Sequence, residues 1–199
     1  MDTVRVELFG QDPKIQKAIS IARNVSVTKA PVLVVGEAGV GKRSLSQFIH
    51  QNSARSDGQF SIVDCSNEAQ QVENEILGHR DEETGRFNKG ILEATNGGTV
   101  VFANVDGLED SFQKRLHKIL MELQDYDIDI RFVATTTKNL SKLVGSGRFY
   151  RGLYTMISQN AITITPLRER ETDLQMLANY FAANCSENSD VKIEDTAMN

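Results

Sequence analysis

A glycine-rich segment that ends in lysine is the strongest chemical signal in the chain. Residues 36–42 read Gly-Glu-Ala-Gly-Val-Gly-Lys, between the apolar run Val32–Val35 and the amphipathic residues 45–49. This order predicts a strand, a phosphate-binding loop and a helix, because backbone N–H groups and a helix N-terminus bind anions and Lys42 adds a positive charge. We predict that a nucleotide is bound by this loop and its first helical residues. They are Gly36, Glu37, Ala38, Gly39, Val40, Gly41, Lys42, Arg43 and Ser44.

The residues that would hydrolyse a bound nucleotide are missing from their expected places. Arg43 follows the lysine, where a Ser or Thr usually holds Mg²⁺. A second apolar run, 99–102, should deliver acidic residues beside that metal, but it is followed by Ala103 and Asn104. Neither side chain can orient and deprotonate a metal-bound water. The sequence therefore predicts a site that holds phosphates without hydrolysis and without a requirement for Mg²⁺.

Composition limits the class of protein. With 199 residues, 40 % of them hydrophobic and 25 % charged, the chain can bury one sizeable core and a small appendage. The net charge of −5 disfavours this segment as the main contact with DNA or a membrane surface. Cys65 and Cys185 lack metal-ligand spacing and are expected to be reduced. No apolar run reaches the roughly 20 residues of a membrane helix, so we expect a cytoplasmic location without a membrane partner.

Apolar runs alternate with amphipathic segments along the chain. Strands are predicted at 32–35, 60–63, 99–102, 130–134 and 161–164, and helices at 13–24, 43–51, 68–77, 111–123, 140–143 and 171–184. The charged segment 80–89 is expected to be exposed, and the polar segment 186–190 to be a linker. Such alternation predicts an α/β fold with a parallel sheet, helices on both faces, and the glycine-rich loop at the carboxyl edge.

Five motifs in order make the chain resemble a known family. They are the glycine-rich loop, Glu-Ile-Leu-Gly-His at 75–79, Leu-Glu-Ala-Thr-Asn-Gly-Gly-Thr at 92–99, Ile-Arg-Phe-Val-Ala-Thr-Thr at 130–136 and Pro-Leu-Arg-Glu-Arg at 166–170. Together they resemble the central AAA+ domain of bacterial enhancer-binding regulators, the NtrC-like activators of the nitrogen-type sigma factor. The resemblance implies a three-layer AAA+ P-loop sandwich over residues 1–168. It also implies the beginning of a helical lid over residues 169–199.

The chain departs from this family at the residues that drive its activity. The sigma-contact motif that follows Gly-His in the family is absent from the shorter segment 80–89. The family's acidic pair falls at Ala103 and Asn104, and its two arginine fingers fall at Tyr150 and Met156. These losses imply a regulatory module that is no longer an enzyme and does not activate the nitrogen-type sigma factor. The combination is most similar to biofilm regulators of the VpsR type, which act with the housekeeping sigma factor.

The resemblance also suggests ligands and partners. Some relatives bind cyclic di-GMP through an Arg near the start of the domain and another in the helix after the loop; here these regions offer Arg5 and Gln47. Cyclic di-GMP is our first candidate ligand and ATP or GTP the second, with Arg148 and Arg151 as further phosphate contacts. Nucleotide binding would control self-association, and the full-length regulator would contact RNA polymerase and DNA.

Two other functions remain open from the sequence. The first is an active ATPase that remodels the nitrogen-type sigma factor, which Ala103 and Asn104 disfavour. The second is a nucleotide-free scaffold for self-association, which the retained Gly41 and Lys42 disfavour. Arg43 could equally be a solvated helix residue, and the acidic segment 81–83 is either solvated or a partner contact.

Overall fold

A computed structural model of the chain describes Val6, Leu8 and residues 10–185. Three predicted features lie outside the described residues: the ligand residue Arg5, the linker 186–190 and the lid beyond residue 185. The predicted boundary between the AAA+ sandwich and the lid, between residues 168 and 169, stays a prediction.

Five parallel strands form the central sheet. The strands are β1 (Val32–Val35), β2 (Phe60–Asp64), β5 (Thr99–Ala103), β6 (Arg131–Thr136) and β7 (Asn160–Thr163), in the spatial order β2-β5-β6-β1-β7. A separate antiparallel hairpin consists of β3 (Gly78–Arg80) and β4 (Phe87–Lys89). In a parallel sheet of this kind, ligands bind at the carboxyl ends of the strands.

Eight helices connect and cover the strands of the described chain. They are α1 (Pro13–Ser26), α2 (Lys42–Gln51), α3 (Ala69–Leu77), α4 (Ile91–Ala94), α5 (Asp110–Glu122), α6 (Leu140–Gly145), α7 (Arg151–Ile157) and α8 (Glu171–Cys185). Helix α1 begins as its sequence predicts: Pro13 opens the helix, and the Asp12 carboxylate accepts from the Lys14 N–H at 2.8 Å.

Two hydrophobic cores, one on each face of the sheet, produce the three layers. Along β5, Val100 and Phe102 belong to the core with α3, α5 and α7, whereas Val101 belongs to the core with α1 and α2. This alternation follows from the two-residue period of a strand, and it explains why the strands are continuous apolar runs. The predicted α/β fold with a parallel sheet and helices on both faces is confirmed.

Three segments differ from the sequence prediction. The segment 80–89 was expected to be an exposed charged stretch, and although it is exposed it includes parts of β3 and β4. The sequence does not predict this hairpin, because both of its strands are short and face solvent and therefore lack an apolar pattern. The sequence does not predict helices α4 and α7. With 4 and 7 residues, they are too short for their periodicity to be recognised: α4 buries only Leu92, and α7 only Leu153 and Ile157.

Candidate functional site

The glycine-rich loop joins β1 to α2 at the carboxyl edge of the sheet. Gly39 and Gly41 have φ angles of +79° and +97°, a region that side-chain-bearing residues rarely adopt. Gly36 lies close to β7: a Cβ there would lie 3.0 Å from the Ile164 carbonyl oxygen. The three glycines therefore let the backbone turn tightly and let α2 begin at Lys42 without a side-chain cap.

Lys42 is held by the backbone of its own loop. Its Nζ donates to the carbonyl oxygens of Gly36 at 2.8 Å and Glu37 at 2.7 Å. Burial lowers the pKa of Lys42, and the negative charge of Asp106 opposes that shift. These carbonyls keep the ammonium group inside the loop, so an incoming anion would compete with neutral acceptors for a cation that is already in place.

Arg168, which is distant from the loop in sequence, lies beside it in the fold. Its guanidinium donates to both carboxylate oxygens of Glu37, at 2.7 and 2.6 Å, and this pairing lowers the pKa of Glu37. A bidentate pair of this kind fixes geometry as well as charge. The pair therefore connects the second residue of the loop to the turn Leu167–Glu169, just before α8.

Two cavities share the loop as a wall. Both are lined by Gly39 and Gly41, and their volumes are about 760 and 690 Å³. The larger, which we call the apolar cavity, lies between the loop, α1 and α8 and includes Ile19, Val40, Leu177 and Phe181 in its walls. The smaller, which we call the polar cavity, lies toward β2 and β5. Its polar side chains are Lys42, Arg43, Asp64, Asn67, Glu75, Asn104 and Thr135.

The polar cavity contains the two residues that the sequence identified as replacements for acidic groups. Ala103 ends β5, and Asn104 follows it in a left-handed conformation with φ of +51°. Both line the cavity beside Lys42. The predicted location of this pair, at a strand end facing the loop, is confirmed.

Sequence reasoning missed two carboxylates near the loop. Asp64 ends β2, lines the polar cavity and accepts from the Asn104 side-chain amide at 3.0 Å. Asp106 accepts from the Thr136 hydroxyl at 2.5 Å and pairs with the Lys138 ammonium at 2.9 Å. The available signal was position: Asp64 is the last residue of a strand, at the edge where parallel sheets bind ligands.

Arg43, Arg148 and Arg151 are placed differently from one another. Arg43 is exposed and lines the polar cavity, and no ion pair or hydrogen bond of its side chain is found within the described part of the chain. The Arg148 side chain donates to the Ser146 hydroxyl at 3.1 Å, and Arg151 opens α7. Neither Arg148 nor Arg151 lines the two loop cavities. Their predicted phosphate contact stays a prediction.

The described residues form neither a metal-binding cluster nor a membrane-spanning helix. Among them, no group of three or more His, Cys, Asp or Glu side chains is arranged to hold a metal ion. None of the described helices is both long and apolar enough to cross a membrane.

Comparisons with known proteins agree with this architecture. The profile of the family described as Sigma-54 interaction domain matches residues 8–163. The chain is 31 % identical over 191 residues to the nitrogen fixation protein AnfA of Azotobacter vinelandii, covering 88 % of this chain and 35 % of AnfA. It is 33 % identical over 210 residues to the glycerol metabolism operon regulatory protein of Citrobacter freundii, covering 96 % of this chain and 32 % of that protein. The chain thus spans about a third of the length of these curated relatives.

Solved structures share the fold. The crystal structure of NtrX from Brucella abortus in complex with ATP superimposes with a TM-score of 0.81 at 24 % identity, covering 96 % of this chain and 47 % of that one. NtrX in complex with ADP gives a TM-score of 0.85 at 22 % identity, covering 97 % and 46 %. The P-loop NTPase domain of the Sigma-54 transport activator from E. coli gives 0.59 at 19 % identity, covering 80 % and 99 %.

Proposed function

The chain belongs to the Sigma-54 interaction domain family, and from that premise we propose that it is a regulatory AAA+ module that binds a nucleotide without hydrolysing it. Binding controls self-association, and through it transcription by the full-length regulator. The observation that carries this proposal is the pair Ala103 and Asn104 at the end of β5, in the same cavity as Lys42. A methyl group and an amide there cannot deprotonate a water at the phosphates.

Phosphate binding is supported by the groups that remain. Lys42 is inside the loop, and Arg43 lines the polar cavity with its side chain unpaired within residues 10–185. Arg binds phosphate bidentately and stacks on a purine face, so Arg43 suits either a cyclic dinucleotide or a purine triphosphate. We propose cyclic di-GMP as the first candidate and ATP or GTP as the second, bound without a requirement for Mg²⁺.

The partners follow from the family. We propose that the regulator works in the cytoplasm with RNA polymerase and DNA and does not activate sigma-54, because the hairpin that replaces the sigma-contact loop lacks its motif. Arg148 and Arg151 would reach the nucleotide of a neighbouring subunit in the assembled oligomer. A role in biofilm control with the housekeeping sigma factor is part of this proposal.

One alternative is favoured by a specific observation. Asp64 places a carboxylate next to Asn104 in the polar cavity, and curated relatives of the chain include nitrogen fixation proteins. An active ATPase that remodels sigma-54 would need such a carboxylate. It would also need a positive group in place of the finger positions Tyr150 and Met156.

Calorimetry combined with a phosphate-release assay tests the proposal. We expect wild-type protein to bind cyclic di-GMP or ATP with EDTA present, and Lys42→Ala to bind about tenfold or more weakly, because a charge-assisted hydrogen bond contributes roughly 1.5–3 kcal/mol. Phosphate release should stay at background in both proteins. Mg²⁺-dependent turnover that Lys42→Ala abolishes would establish the ATPase alternative, and the absence of any nucleotide binding would leave a scaffold.

A further inference from the structure

The Asp64 carboxylate has one occupied and one open oxygen. Its Oδ1 accepts from the Ser66 N–H at 3.0 Å, the Ser66 hydroxyl at 2.7 Å and the Asn104 amide at 3.0 Å. No hydrogen bond to Oδ2 is found from any group in residues 10–185. The three donors on Oδ1 fix the orientation of the carboxylate, and Oδ2 remains able to interact with a ligand in the cavity.

This carboxylate is charged and lies in the phosphate region. Hydrogen bonds from the Ser66 and Asn104 side chains lower the pKa of Asp64, so the group is ionised at neutral pH. Asp64 is half-buried and lines the polar cavity together with Lys42 and Arg43. The cavity that should receive phosphate therefore presents a fixed negative charge among its positive ones.

We propose that Asp64 selects the ligand by the charge of its phosphates. It admits a phosphodiester such as that of a cyclic dinucleotide and disfavours a triphosphate that arrives without a divalent cation. The proposal rests on the nucleotide-binding function above, and it assigns to one side chain the choice between the two candidate ligands.

The selection follows from the number of charges that each ligand brings into the cavity. A phosphodiester carries a single negative charge per phosphate, which Lys42 and Arg43 can balance. The terminal phosphates of a triphosphate carry several charges on adjacent groups, so some of them must face Asp64 unbalanced. Two like charges a few ångströms apart near a protein surface repel each other by more than about 1.4 kcal/mol, which corresponds to a tenfold change in affinity. This repulsion is therefore large enough to decide which ligand binds.

Glu75 contributes less to this selection. It also lines the polar cavity, but its side chain is exposed, so solvent and salt screen its charge. Mg²⁺ would change the outcome for a triphosphate, because a cation bound to phosphates commonly takes a protein carboxylate as an additional ligand. With Mg²⁺ present, the open oxygen of Asp64 would become favourable for a triphosphate.

Titration calorimetry on three proteins in EDTA tests whether Asp64 selects the ligand. The proteins are wild type, Asp64→Asn and, as a matched control, Asp57→Asn, which removes an exposed carboxylate from the loop before β2 that lines neither loop cavity. We expect Asp64→Asn to bind ATP about tenfold more tightly than wild type, with the affinity for cyclic di-GMP changed by less than about threefold. Asp57→Asn should match wild type for both ligands. With Mg²⁺ added, the gain for ATP should disappear.

Other outcomes separate this proposal from the one that it rests on. Equal changes for both ligands, or no change for ATP, would overturn the selector while leaving nucleotide binding intact. If wild type binds neither ligand, the proposed function fails, and selection by Asp64 fails with it, because the wild-type cavity then does not admit a phosphodiester. Asp64→Ser, with thermal unfolding of each protein, provides a second variant in case the asparagine disturbs the fold.

Discussion

At the scale of single residues, the amino edge of the sheet contains a buried cation that pairs with no carboxylate of the described residues. Arg131, at the start of β6, is 1 % exposed, and its guanidinium donates to the carbonyl oxygens of Ser26 at 3.0 Å and Val25 at 2.6 Å. Burial lowers the pKa of Arg131 to about 10, so it remains charged at neutral pH. Arg131 thereby binds two carbonyl groups of the last turn of α1, one of which, that of Val25, also accepts from the Thr28 N–H at 3.0 Å.

His50 lies near this cation and should make stability depend on pH. Its imidazole is 4 % exposed, and its Nδ1 lies 2.9 Å from the Thr99 hydroxyl oxygen. Burial and the charge of Arg131 lower the pKa of His50, while a backbone hydrogen bond with Gly58 opposes the shift. The folded protein therefore keeps His50 neutral at pH values where the unfolded chain, with a histidine pKa of about 6.5, takes up a proton. Stability from this group is complete above about pH 6.5 and falls as the pH drops toward the folded-state pKa.

Urea unfolding from about pH 8 to about pH 5 measures this effect. We expect the free energy of unfolding of wild type to fall below about pH 6.5. His50→Gln should be less stable at about pH 8, but its free energy of unfolding should change less with pH. His79→Gln is the matched control, because His79 is exposed on the hairpin and should keep the wild-type slope. An unchanged slope in His50→Gln would show that another group is responsible.

At the scale of elements, the hairpin β3–β4 has a structured tip. The Asp81 carboxylate accepts from the Thr84 N–H at 2.7 Å and from the Thr84 hydroxyl at 2.8 Å, and the Asp81 N–H donates to the Arg86 carbonyl at 2.8 Å. Gly85 completes the turn with φ of +67°. A charged segment of this length would otherwise sample many conformations, so these bonds present the hairpin in one shape.

Hydrogen exchange followed by NMR tests the order of the tip. We expect Asp81→Ala to speed amide exchange at Thr84 and Gly85 by about tenfold or more, because the variant removes the acceptor that organises the turn. Amides of the central sheet should be unaffected. Glu82→Ala is the control, because Glu82 is exposed and belongs to none of the hydrogen bonds of the turn. Fast exchange at these two amides in wild type would mean that the tip is not ordered.

The elements themselves were largely predictable from sequence, whereas the contacts of the site were not. The five strands are apolar runs and α5 carries a long stripe, with Phe112, Leu116 and Leu120 buried, so local periodicity was sufficient. The contact between Arg168 and Glu37 joins residues 131 positions apart, and no local pattern encodes it. Asp64 was overlooked for a related reason, since its importance comes from the neighbouring strand that delivers Asn104.

At the scale of the whole molecule, the two ends of the described chain meet beside the apolar cavity. The Asp173 carboxylate on α8 accepts from the N–H groups of Gln11 at 2.5 Å and Asp12 at 3.0 Å. The Arg170 guanidinium lies 3.5 Å from the other carboxylate oxygen of Asp173. The Asp173 side chain is 0 % exposed and the Arg170 side chain 7 %. Because residues before α1 and residues of α8 both line the cavity, this contact holds its opposite walls together.

Removing Asp173 should therefore destabilise the fold far more than removing its cationic neighbour. Asp173→Ala leaves Arg170 as a buried charge without compensation and leaves two backbone N–H groups unpaired. We expect the free energy of unfolding to fall by about 3–5 kcal/mol. Arg170→Leu should cost less, because the carboxylate keeps both N–H donors. Glu171→Ala, an exposed neighbour on α8, should stay within about 0.5 kcal/mol of wild type in the same urea titration.

The comparison between these variants separates two explanations of the buried pair. If the ionic attraction dominates, Arg170→Leu and Asp173→Ala will cost the same, since either one removes it. If the carboxylate acts mainly as an acceptor for the backbone of the opposite chain end, only Asp173→Ala will be severe. The 3.5 Å separation of the charged groups, against 2.5 and 3.0 Å for the two N–H contacts, favours the second outcome. In that case Asp173→Ala should also speed amide exchange at Gln11 and Asp12, whereas Arg170→Leu should leave it slow.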